Sequence, residues 1–419
     1  MKRIFFSLKG RILIFLSVFG PATIAAMADN DAAGVATYSL AGAKLGYPIL
    51  FLLPIITILL GVTQEMGIRL ALISRKGLAD LIREFYGIRI SLFIFFCIFI
   101  ANIFTIIVDL SAVKIATNLL NIPTLPSVLF IVFFSFIFVA KGSYKSTQNI
   151  FLISTLFYLT YIFSAFKSNP NWGSALSNLV IPNGVSFDSN YLKDYLILGL
   201  GVVGTTITPW GQFFISSFAF DKKIEQSKVK YAQLETIWGA FLTNFFSYFM
   251  IVATASTLFV HSIPLISGEQ AALAIKPFAG QLASTFFAIG ILNAGFMGVV
   301  VISLTTAYAF SEFFGYSGSL DTSFTKSRSF YIIFLIQLII ATVAVMIPGV
   351  SLFKLAITAQ VLNAMMLPLV FYFLIKFTSN PTIMNRYINS SFQRIFAIIA
   401  TIIIIIASVL TTVLTIFNF

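Results

Sequence analysis

Two carboxylates stand in the middle of an apolar stretch near the start of the chain. Asp29 and Asp31 flank Asn30 in the run "AAMADNDAAGVATYS" (25–39). A charge at the centre of a bilayer costs at least about 2.5 kcal/mol, so such residues persist where they face a cavity or a partner. On a regular helix these two residues would point to different faces. If "DNDAAG" is unwound, both carboxylates and free backbone carbonyls can line one cavity.

A second interruption occurs in "GTTITPWGQ" (204–212), where Gly204 and Gly211 flank Pro209. Proline cannot donate a helix hydrogen bond and it clashes with the preceding turn. Two interrupted spans at corresponding positions of two halves are the sequence sign of an inverted-repeat transporter with a site at the midplane. A proline kink without a ligand role is the alternative.

The composition requires a membrane around these segments. The chain has 419 residues, of which 59% are hydrophobic and 10% charged, with a mean hydropathy of +0.99. A soluble domain carries about 25% charged residues, and apolar runs of about 20 residues match a bilayer. We predict an all-α, polytopic membrane protein with one transmembrane domain over 1–419. Its eleven predicted spans are 11–42, 46–73, 90–119, 124–140, 147–166, 192–219, 232–260, 281–312, 329–348, 352–378 and 393–417.

The chain has a net charge of +12, and the positions of its basic residues indicate the topology in the membrane. Twenty of the 26 Lys and Arg residues fall at the N-terminus and on alternate loops. The positive-inside rule makes that side cytoplasmic, so we expect a multi-pass protein of the cell membrane with a cytoplasmic N-terminus. The first apolar segment is interpreted as a retained span because it has no convincing cleavage site. A nucleic-acid partner is not expected.

Residues for other chemistry are scarce. The chain has one histidine, His261, and one cysteine, Cys97, and it contains no HExxH or GxxxxGK[ST] motif. An ATP-driven pump or a membrane metalloprotease is therefore not expected, and we predict neither enzyme activity nor a cofactor. "GLGVVG" (199–204) matches GxGxxG inside a span, where small residues favour close helix approach over nucleotide binding.

Four more charged residues lie within or near predicted spans. Glu65 and Arg69 stand four residues apart and predict a structural ion pair. Asp109 is a candidate functional carboxylate in the third span. Lys114 lies five residues later, about 140° away on an ideal helix, so we expect it to extend toward the outer interface.

Several segments then resemble a known family. Gly20-Pro21 and Asp31-Ala32-Ala33-Gly34 resemble the start and the DPGN motif of the first span of the NRAMP family of divalent metal transporters. The other similar segments are "LAGAKLGY" (40–47), "GLADLIREFYG" (77–87), "VDLSAVKIATNLL" (108–120), "NPNWGSALSNLVIP" (169–182), "FAIGILNAGFMG" (287–298) and "AQVLNAMMLPL" (359–369).

The resemblance implies a LeuT-like inverted repeat of five plus five spans with spans 1 and 6 broken. The repeats would cover 1–168 and 190–378, followed by an additional helix at 393–417. The implied metal ligands are the Asp31 side chain, the carbonyls of Ala28 and Thr205, and Thr208, which stands where the family has a methionine. The implied cavity is lined by Asp29, Gly34, Thr206, Pro209, Trp210, Gln212, Gln360, Asn363 and Met366.

The departures from the family concern both ligands and proton handling. Gly34 replaces the family's asparagine ligand, and Thr208-Pro209-Trp210 replaces its Met-Pro-His motif. Asp109 keeps the carboxylate of the family's proton path, while Ala112 and Trp210 replace the other two members. Neither replacement titrates near neutral pH.

These changes favour a hard, hydrated cation. Carboxylate, carbonyl and water suit Mg²⁺ and Mn²⁺, whereas a thioether selects softer metals. The pattern is similar to the NRAMP-related magnesium transporter branch. We expect monomeric, alternating-access entry of Mg²⁺, with Mn²⁺ tolerated, down its electrochemical gradient and without protons. The alternatives are a proton-coupled Mn²⁺/Fe²⁺ symporter that uses Asp109, and a LeuT-like carrier of an organic solute that stacks on Trp210 in space left by Gly34. A channel is disfavoured by the paired breaks.

Overall fold

The structure, a computed structural model, describes residues 15, 17–141, 145, 147–150, 155–276, 280–347 and 352–416. These residues form helices joined by turns, with no strand among them. The α-helices are α1 Pro21–Ala28, α2 Ala32–Leu45, α3 Leu52–Ser74, α4 Leu78–Leu119, α5 Thr124–Lys141, α6 Leu159–Lys167, α7 Trp172–Ser177, α8 Ser189–Thr206, α9 Pro209–Asp221, α10 Val229–Thr254, α11 Gly268–Leu273, α12 Ala283–Phe314, α13 Arg328–Val345, α14 Leu352–Thr378, α15 Pro381–Met384 and α16 Ser391–Ile416.

Nine helical segments in the described part of the chain are long and apolar enough to cross a membrane. They correspond to nine of the eleven predicted spans. The other two predictions, 11–42 and 147–166, fall partly outside the described residues, and their described parts are short helices. The fold is therefore a helical membrane bundle, and the count of eleven stays a prediction.

The first predicted span is broken at residues 29–31. Helix α1 ends at Ala28, and the N–H groups of Asn30 and Asp31 donate to the carbonyls of Met27 and Ala28, three residues back. Asp31 then leaves helical geometry with ψ −177° and caps α2, because its Oδ1 accepts from the Gly34 N–H at 2.7 Å. Aspartate is a favoured N-cap, so the "DND" run ends one helix and starts the next.

At the second break, too, one helix ends and a polar side chain caps the next. Helix α8 ends at Thr206, and Ile207 has φ −118° and ψ 77°, outside the helical region. Thr208 caps α9, since its Oγ1 accepts from the Gly211 N–H at 3.0 Å. Pro209 occupies the first position of α9, where its missing N–H costs nothing. The sequence prediction of two broken spans is confirmed.

The helices around the breaks approach closely at glycines. A Cβ on Gly204 would lie 1.8 Å from the Gln360 carbonyl oxygen, so α8 and α14 touch through backbone there. A Cβ on Gly295 would lie 2.7 Å from the Asp109 carbonyl oxygen, so α12 and α4 are equally close. The small residues of "GLGVVG" thus serve helix packing in the case of Gly204, as predicted.

Helix α4 begins earlier than the sequence predicted. The predicted span started at residue 90, whereas the helix starts at Leu78 and kinks at Gly87, which has φ 75° and ψ 177°. Glycine tolerates this backbone because it has no Cβ. The part before the kink carries Asp80, Arg83 and Glu84, so it is not an apolar run and the hydropathy pattern does not predict it as part of the span.

One end of the bundle, here called the basic end, carries the turns at 75–77, 222–228, 315–327 and 379–390. The Arg75 guanidinium donates to the Ile224 carbonyl at 3.2 Å, and Asp221 accepts from the Leu320 N–H at 3.0 Å, so the first three turns lie together. The fourth turn is connected through Arg69, which donates to Asn389 Oδ1 at 2.8 Å. The predicted Glu65–Arg69 pair is confirmed near this end, with Arg69 Nε 2.6 Å from Glu65 Oε1.

Candidate functional site

Asp31 sits at the first break with only 1% of its surface exposed. Its Oδ1 bond to the Gly34 N–H fixes the carboxyl group at the beginning of α2. The N-terminus of a helix attracts negative charge, so the backbone holds this carboxyl where the two half-helices meet. The structure therefore places Asp31 at the break, as the sequence predicted.

Asp29 reaches across from the first break to the second. Its Oδ1 accepts from the Thr208 hydroxyl at 3.2 Å, and its Oδ2 is buried without a hydrogen-bond partner among the described residues. A buried polar atom without a partner indicates a missing ligand, ion or water. Asp29 and Thr208 together thus join the two breaks and leave one carboxyl oxygen for a further partner.

The two predicted carbonyl ligands lie at the ends of the half-helices. The regular donor to the Ala28 carbonyl would be the Ala32 N–H, which instead donates to Asp109, while Asp31 N donates to Ala28 at 3.0 Å. The regular donor to the Thr205 carbonyl would come from residue 209, which is proline and has no N–H. The breaks therefore free both carbonyls from regular α-helical bonding.

Asp109 comes to the same place from α4. Its Oδ1 accepts from the Ala32 N–H, the first residue of α2, at 3.2 Å, and its Oδ2 has no partner among the described residues. A Cβ on Gly298 would lie 2.2 Å from Oδ2, so α12 offers space that only glycine leaves. The sequence identified Asp109 but not Gly298, whose only signal was the small-residue run "NAGFMG".

Asn30 is a structural residue that the sequence analysis did not identify. Its Nδ2 donates to the Thr243 hydroxyl at 2.9 Å, its Oδ1 accepts from Ser247 at 3.1 Å, and its carbonyl accepts from the Tyr158 hydroxyl at 2.6 Å. These bonds anchor the first break against α10. The position between two carboxylates was the only hint in the sequence.

Gly34 does not open space, contrary to the expectation of a cavity enlarged at this position. A Cβ there would lie 2.3 Å from the Asp29 carbonyl oxygen and 3.1 Å from the Thr205 hydroxyl. The backbone of the break fills the volume that a side chain would need. Gly34 therefore permits the tight turn at Asp29, because it lets the Asp29 backbone lie against the beginning of α2.

The remaining predicted residues of span 6 are buried around the second break. Thr206 bonds the Tyr38 hydroxyl at 2.7 Å and the Val202 carbonyl at 2.7 Å. Pro209, Trp210 and Gln212 are buried, and neither the Trp210 indole nitrogen nor the Gln212 carboxamide has a partner among the described residues. These groups add unused hydrogen-bonding capacity on α9.

The predicted residues of span 10 divide into two groups. Asn363 donates to Gln360 Oε1 at 2.8 Å and to the Thr105 hydroxyl at 3.3 Å, which links α14 to α4. Met366 is half-buried and packs instead against an apolar cluster that includes Met66 and Phe213. The structure thus connects Gln360 and Asn363 with the Asp109 helix, and it gives Met366 a packing role.

Among the described residues, no basic side chain pairs with the carboxyl groups of Asp29, Asp31 and Asp109. The salt bridges of the described residues involve other groups. Across the same part of the chain, no three Asp, Glu, His or Cys side chains meet closely enough to hold a metal ion by themselves. A cation here would therefore keep few carboxylate ligands and rely on carbonyls, hydroxyls and water.

The site is closed on both sides in this conformation. Asp29 and Asp31 are 1% exposed and Thr208 is 2% exposed. A ligand can reach these groups only if helices around the breaks move. Half-helices are suited to such movement, since each can rotate without breaking the hydrogen bonds of the other.

Known sequences match most of this fold. The family profile described as Nramp, natural resistance-associated macrophage protein-like, matches residues 22–414. The divalent metal cation transporter MntH of Staphylococcus aureus (strain Mu3) is 26% identical over 301 residues, which cover 67% of this chain and 66% of that protein. The match thus spans just under two thirds of the relative's length.

Comparison with solved structures gives the same architecture. A variant of the Eremococcus coleocola manganese transporter superposes with a TM-score of 0.78 at 20% identity, over 95% of this chain and 86% of that one. MhsT in complex with L-phenylalanine superposes with a TM-score of 0.63 at 12% identity, over 96% and 97%. At these identities the likeness establishes the fold, a LeuT-like bundle with broken helices 1 and 6.

Proposed function

The chain belongs to the Nramp family, and from this premise we propose that it carries divalent metal cations across a membrane by alternating access. The observation that carries the proposal is that Asp29 and Asp31 lie in the first break, that Asp109 bonds the first residue after it, and that none of the three has a basic partner among the described side chains. Buried carboxyl groups need a compensating charge when they are ionised. A divalent cation that enters the closed site supplies it.

Within this function we propose Mg²⁺ as the main substrate, with Mn²⁺ accepted. Mg²⁺ dehydrates reluctantly and is held by one or two carboxylates with several waters. The lack of a three-residue metal cluster in the described part of the chain fits an ion that keeps its waters. Thr208 offers a hard oxygen at the position where the family resemblance implies a thioether, which supports hard over soft cations.

We further propose that transport proceeds without protons. A proton relay needs titratable groups within hydrogen-bond reach or one water apart. Ala112 is buried against α12, with its Cβ 3.6 Å from the position of a Cβ on Gly295, and Trp210 is buried without a titratable group. Of the three positions in the implied proton relay, only Asp109 carries a titratable side chain. The membrane potential then drives a divalent cation inward with about 4.6 kcal/mol per 100 mV.

A proton-coupled Mn²⁺/Fe²⁺ symporter is the second candidate. The bond between Asp109 and the Ala32 N–H supports it, because protonation of that carboxyl would act directly on the start of α2. An organic solute carrier has less support, since the Asp29 backbone occupies the space that Gly34 was expected to leave. In either case we propose a monomer in the cell membrane with a cytoplasmic N-terminus.

The test is cation uptake into proteoliposomes that contain an internal pH dye, with potassium and valinomycin setting the voltage. We expect voltage-dependent Mg²⁺ and Mn²⁺ uptake without acidification. Acidification in proportion to metal influx would replace this proposal by the symporter. Asp109→Asn should leave the ratio of protons to metal unchanged.

Asp31→Ala provides the matched site variant, and Asp188→Ala provides its control. Both aspartates cap a helix, but Asp188 lies exposed at the start of α8, where its Oδ2 accepts from the Asn190 and Tyr191 N–H groups. Asp31→Ala should abolish uptake in folded protein, whereas Asp188→Ala should retain it. Uptake in Asp31→Ala equal to that of the Asp188→Ala control contradicts the assignment of Asp31.

A further inference from the structure

A polar cavity of about 280 Å³ lies at the end of the bundle opposite the basic end. It is formed by the end of α4, the residues that precede α11 and the start of α14. Ser111, Lys114, Asn118, Ser267, Leu352 and Phe353 are among its lining residues. We call it the Lys114 cavity. The proposed transport function does not use it.

The cavity presents hydrogen-bond donors. Lys114 is half-buried, and none of the salt bridges among the described residues includes it. Asn118 accepts from the Thr124 hydroxyl through Oδ1, which leaves its Nδ2 free to donate. Ser267 Oγ accepts from the Gln270 N–H at 3.4 Å and can still donate its own proton. An ammonium, an amide and a hydroxyl together match an anion.

The charge balance at this end of the bundle also favours an anion. Apart from the twenty Lys and Arg residues of the predicted cytoplasmic side, the sequence has six basic residues, which include Lys114 and Lys354. Only three carboxylates, Asp188, Asp194 and Glu269, lie in the same predicted outer segments. Asp194 is already bonded to Lys44 at 2.7 Å. The end opposite the basic end is thus net positive, and a partly desolvated ammonium requires a counter-charge.

The cavity and the site share helix α4. Ser111 at its wall is two residues from Asp109, and Lys114 is five residues away, a rise of about 7.5 Å along α4. Asp109 in turn bonds the first residue of α2. A cation that enters from this end therefore approaches the carboxyl groups past a positive side chain.

We propose that the Lys114 cavity binds a small inorganic anion, such as chloride, which neutralises the ammonium beside the cation route. Bound anion removes the electrostatic barrier that Lys114 presents to an entering divalent cation. Anion binding is a property of the cavity alone. Its effect on uptake rests on the proposed transport function.

Binding is tested by the line width of the chloride-35 resonance with the purified full-length protein in detergent. Wild type should broaden the signal saturably, and phosphate or acetate should compete if the cavity takes those anions as well. Lys114→Met should weaken the broadening at least about tenfold, whereas Lys114→Arg should stay within about threefold of wild type. Lys354→Met is the matched control, because Lys354 is exposed on α14 beside the lining residue Phe353.

Two results would overturn the site. One is broadening in Lys114→Met that equals the broadening in Lys354→Met. The other is broadening that occurs only in Glu269→Gln, which would show that a carboxylate of the chain neutralises the ammonium. The Arg variant keeps the charge and reports whether loss of binding comes from loss of fold.

The effect on transport is measured by metal uptake with external chloride replaced by gluconate at a fixed voltage. Wild-type uptake should slow by about threefold or more, and Lys114→Met should no longer respond to the replacement. Equal uptake in both anions by wild type would overturn the role in transport. Absence of metal uptake in both would refute the proposed function and leave the binding result to stand by itself.

Discussion

The hydroxyl of Thr208 donates to Asp29 Oδ1 across 3.2 Å, so a side chain at the second break holds a carboxyl group of the first. The same hydroxyl oxygen accepts from the Gly211 N–H at 3.0 Å and caps α9. One atom therefore caps the beginning of α9 and connects it to the end of α1, which lies far away in sequence. A change in the geometry of either break is transmitted to the other through this bond.

Thr208→Met tests whether this atom also faces the ion. The substitution removes the bond to Asp29 and introduces a thioether, which prefers softer metals. We expect uptake to shift from Mg²⁺ toward Cd²⁺ and Mn²⁺, measured by competition in proteoliposomes. Loss of the helix cap should also lower the stability by about 1 kcal/mol.

Thr208→Ser is the control for that experiment, because serine keeps the hydroxyl, the cap and the bond to Asp29. It should keep the wild-type preference for Mg²⁺ over Cd²⁺. An identical Mg²⁺/Cd²⁺ preference in the Met and Ser variants would show that residue 208 does not contact the ion.

Gly34→Ala should disrupt the first break. The added Cβ would lie 2.3 Å from the Asp29 carbonyl oxygen, so α2 and the turn must separate. Overpacking of this kind costs about 1–3 kcal/mol, and displacement of Asp29 should reduce uptake strongly. Thermal unfolding and metal uptake measure the two effects.

Gly290→Ala is the matched control on α12. A Cβ at Gly290 meets nothing within 4 Å, so alanine should be neutral or slightly stabilising there. If Gly34→Ala were as stable and as active as Gly290→Ala, the tight contact between Gly34 and Asp29 would not exist in the protein.

The Glu65–Arg69 pair should be far more important for stability than the Lys76–Glu84 pair. Arg69 is 3% exposed and also bonds Asn389 Oδ1 at 2.8 Å, while Glu65 accepts from Gln233 at 2.6 Å and from Gln393 at 2.7 Å. Removal of one partner from a buried pair costs about 3–5 kcal/mol. Arg69→Ala should therefore lower the unfolding temperature markedly.

Lys76→Ala supplies the comparison at the same end of the bundle. Lys76 and Glu84 are 2.5 Å apart, but their side chains are 45% and 50% exposed. Exposed pairs contribute about 0–1 kcal/mol, so Lys76→Ala should unfold close to wild type. Equal losses in Arg69→Ala and Lys76→Ala would contradict the network around Glu65.

The sequence was sufficient to predict the features that depend on local chemistry. The two carboxylates of the "DND" run inside an apolar segment and the missing N–H of Pro209 predicted both breaks, because each of these signals lies within a few residues. The Glu65–Arg69 spacing predicted their contact for the same reason. Asp31 and Asp109 were identified from the cost of burying a carboxyl group in a bilayer.

The features that the sequence did not reveal depend on which helices meet. Nothing local to Asn30 shows that it bonds Thr243 and Ser247 on α10. Gly34 was expected to leave space, yet the backbone of Asp29 fills it, which only the packed structure can show. The roles of Gly298 beside Asp109 and of Thr208 beside Asp29 likewise arise from contacts between distant segments.

The last prediction concerns Glu235, which caps α1 from another helix. Gly20 precedes α1 and has no side chain to cap it, and Glu235 Oε1 on α10 accepts from the Gly20 N–H at 2.5 Å and the Thr23 N–H at 3.1 Å. Lys222 holds the chain just before this point, with Nζ 2.6 Å from the Phe19 carbonyl oxygen. Glu235→Ala leaves two buried N–H groups without a partner, at about 1–3 kcal/mol each.

We therefore expect Glu235→Ala to loosen α1 from α10 and open the closed site toward the basic end. The measurement is the rate at which a maleimide labels a cysteine placed at the buried position Ala26, in a protein whose Cys97 has been replaced. The rate should rise by about tenfold or more, corresponding to at least 1.4 kcal/mol. Glu235→Gln keeps the accepting oxygen and should stay near wild type. Asn171→Ala, which removes the cap of α7 at the opposite end, should leave the rate unchanged. Labelling of Glu235→Ala at the rate of the Asn171→Ala control would show that Glu235 does not hold α1 in place.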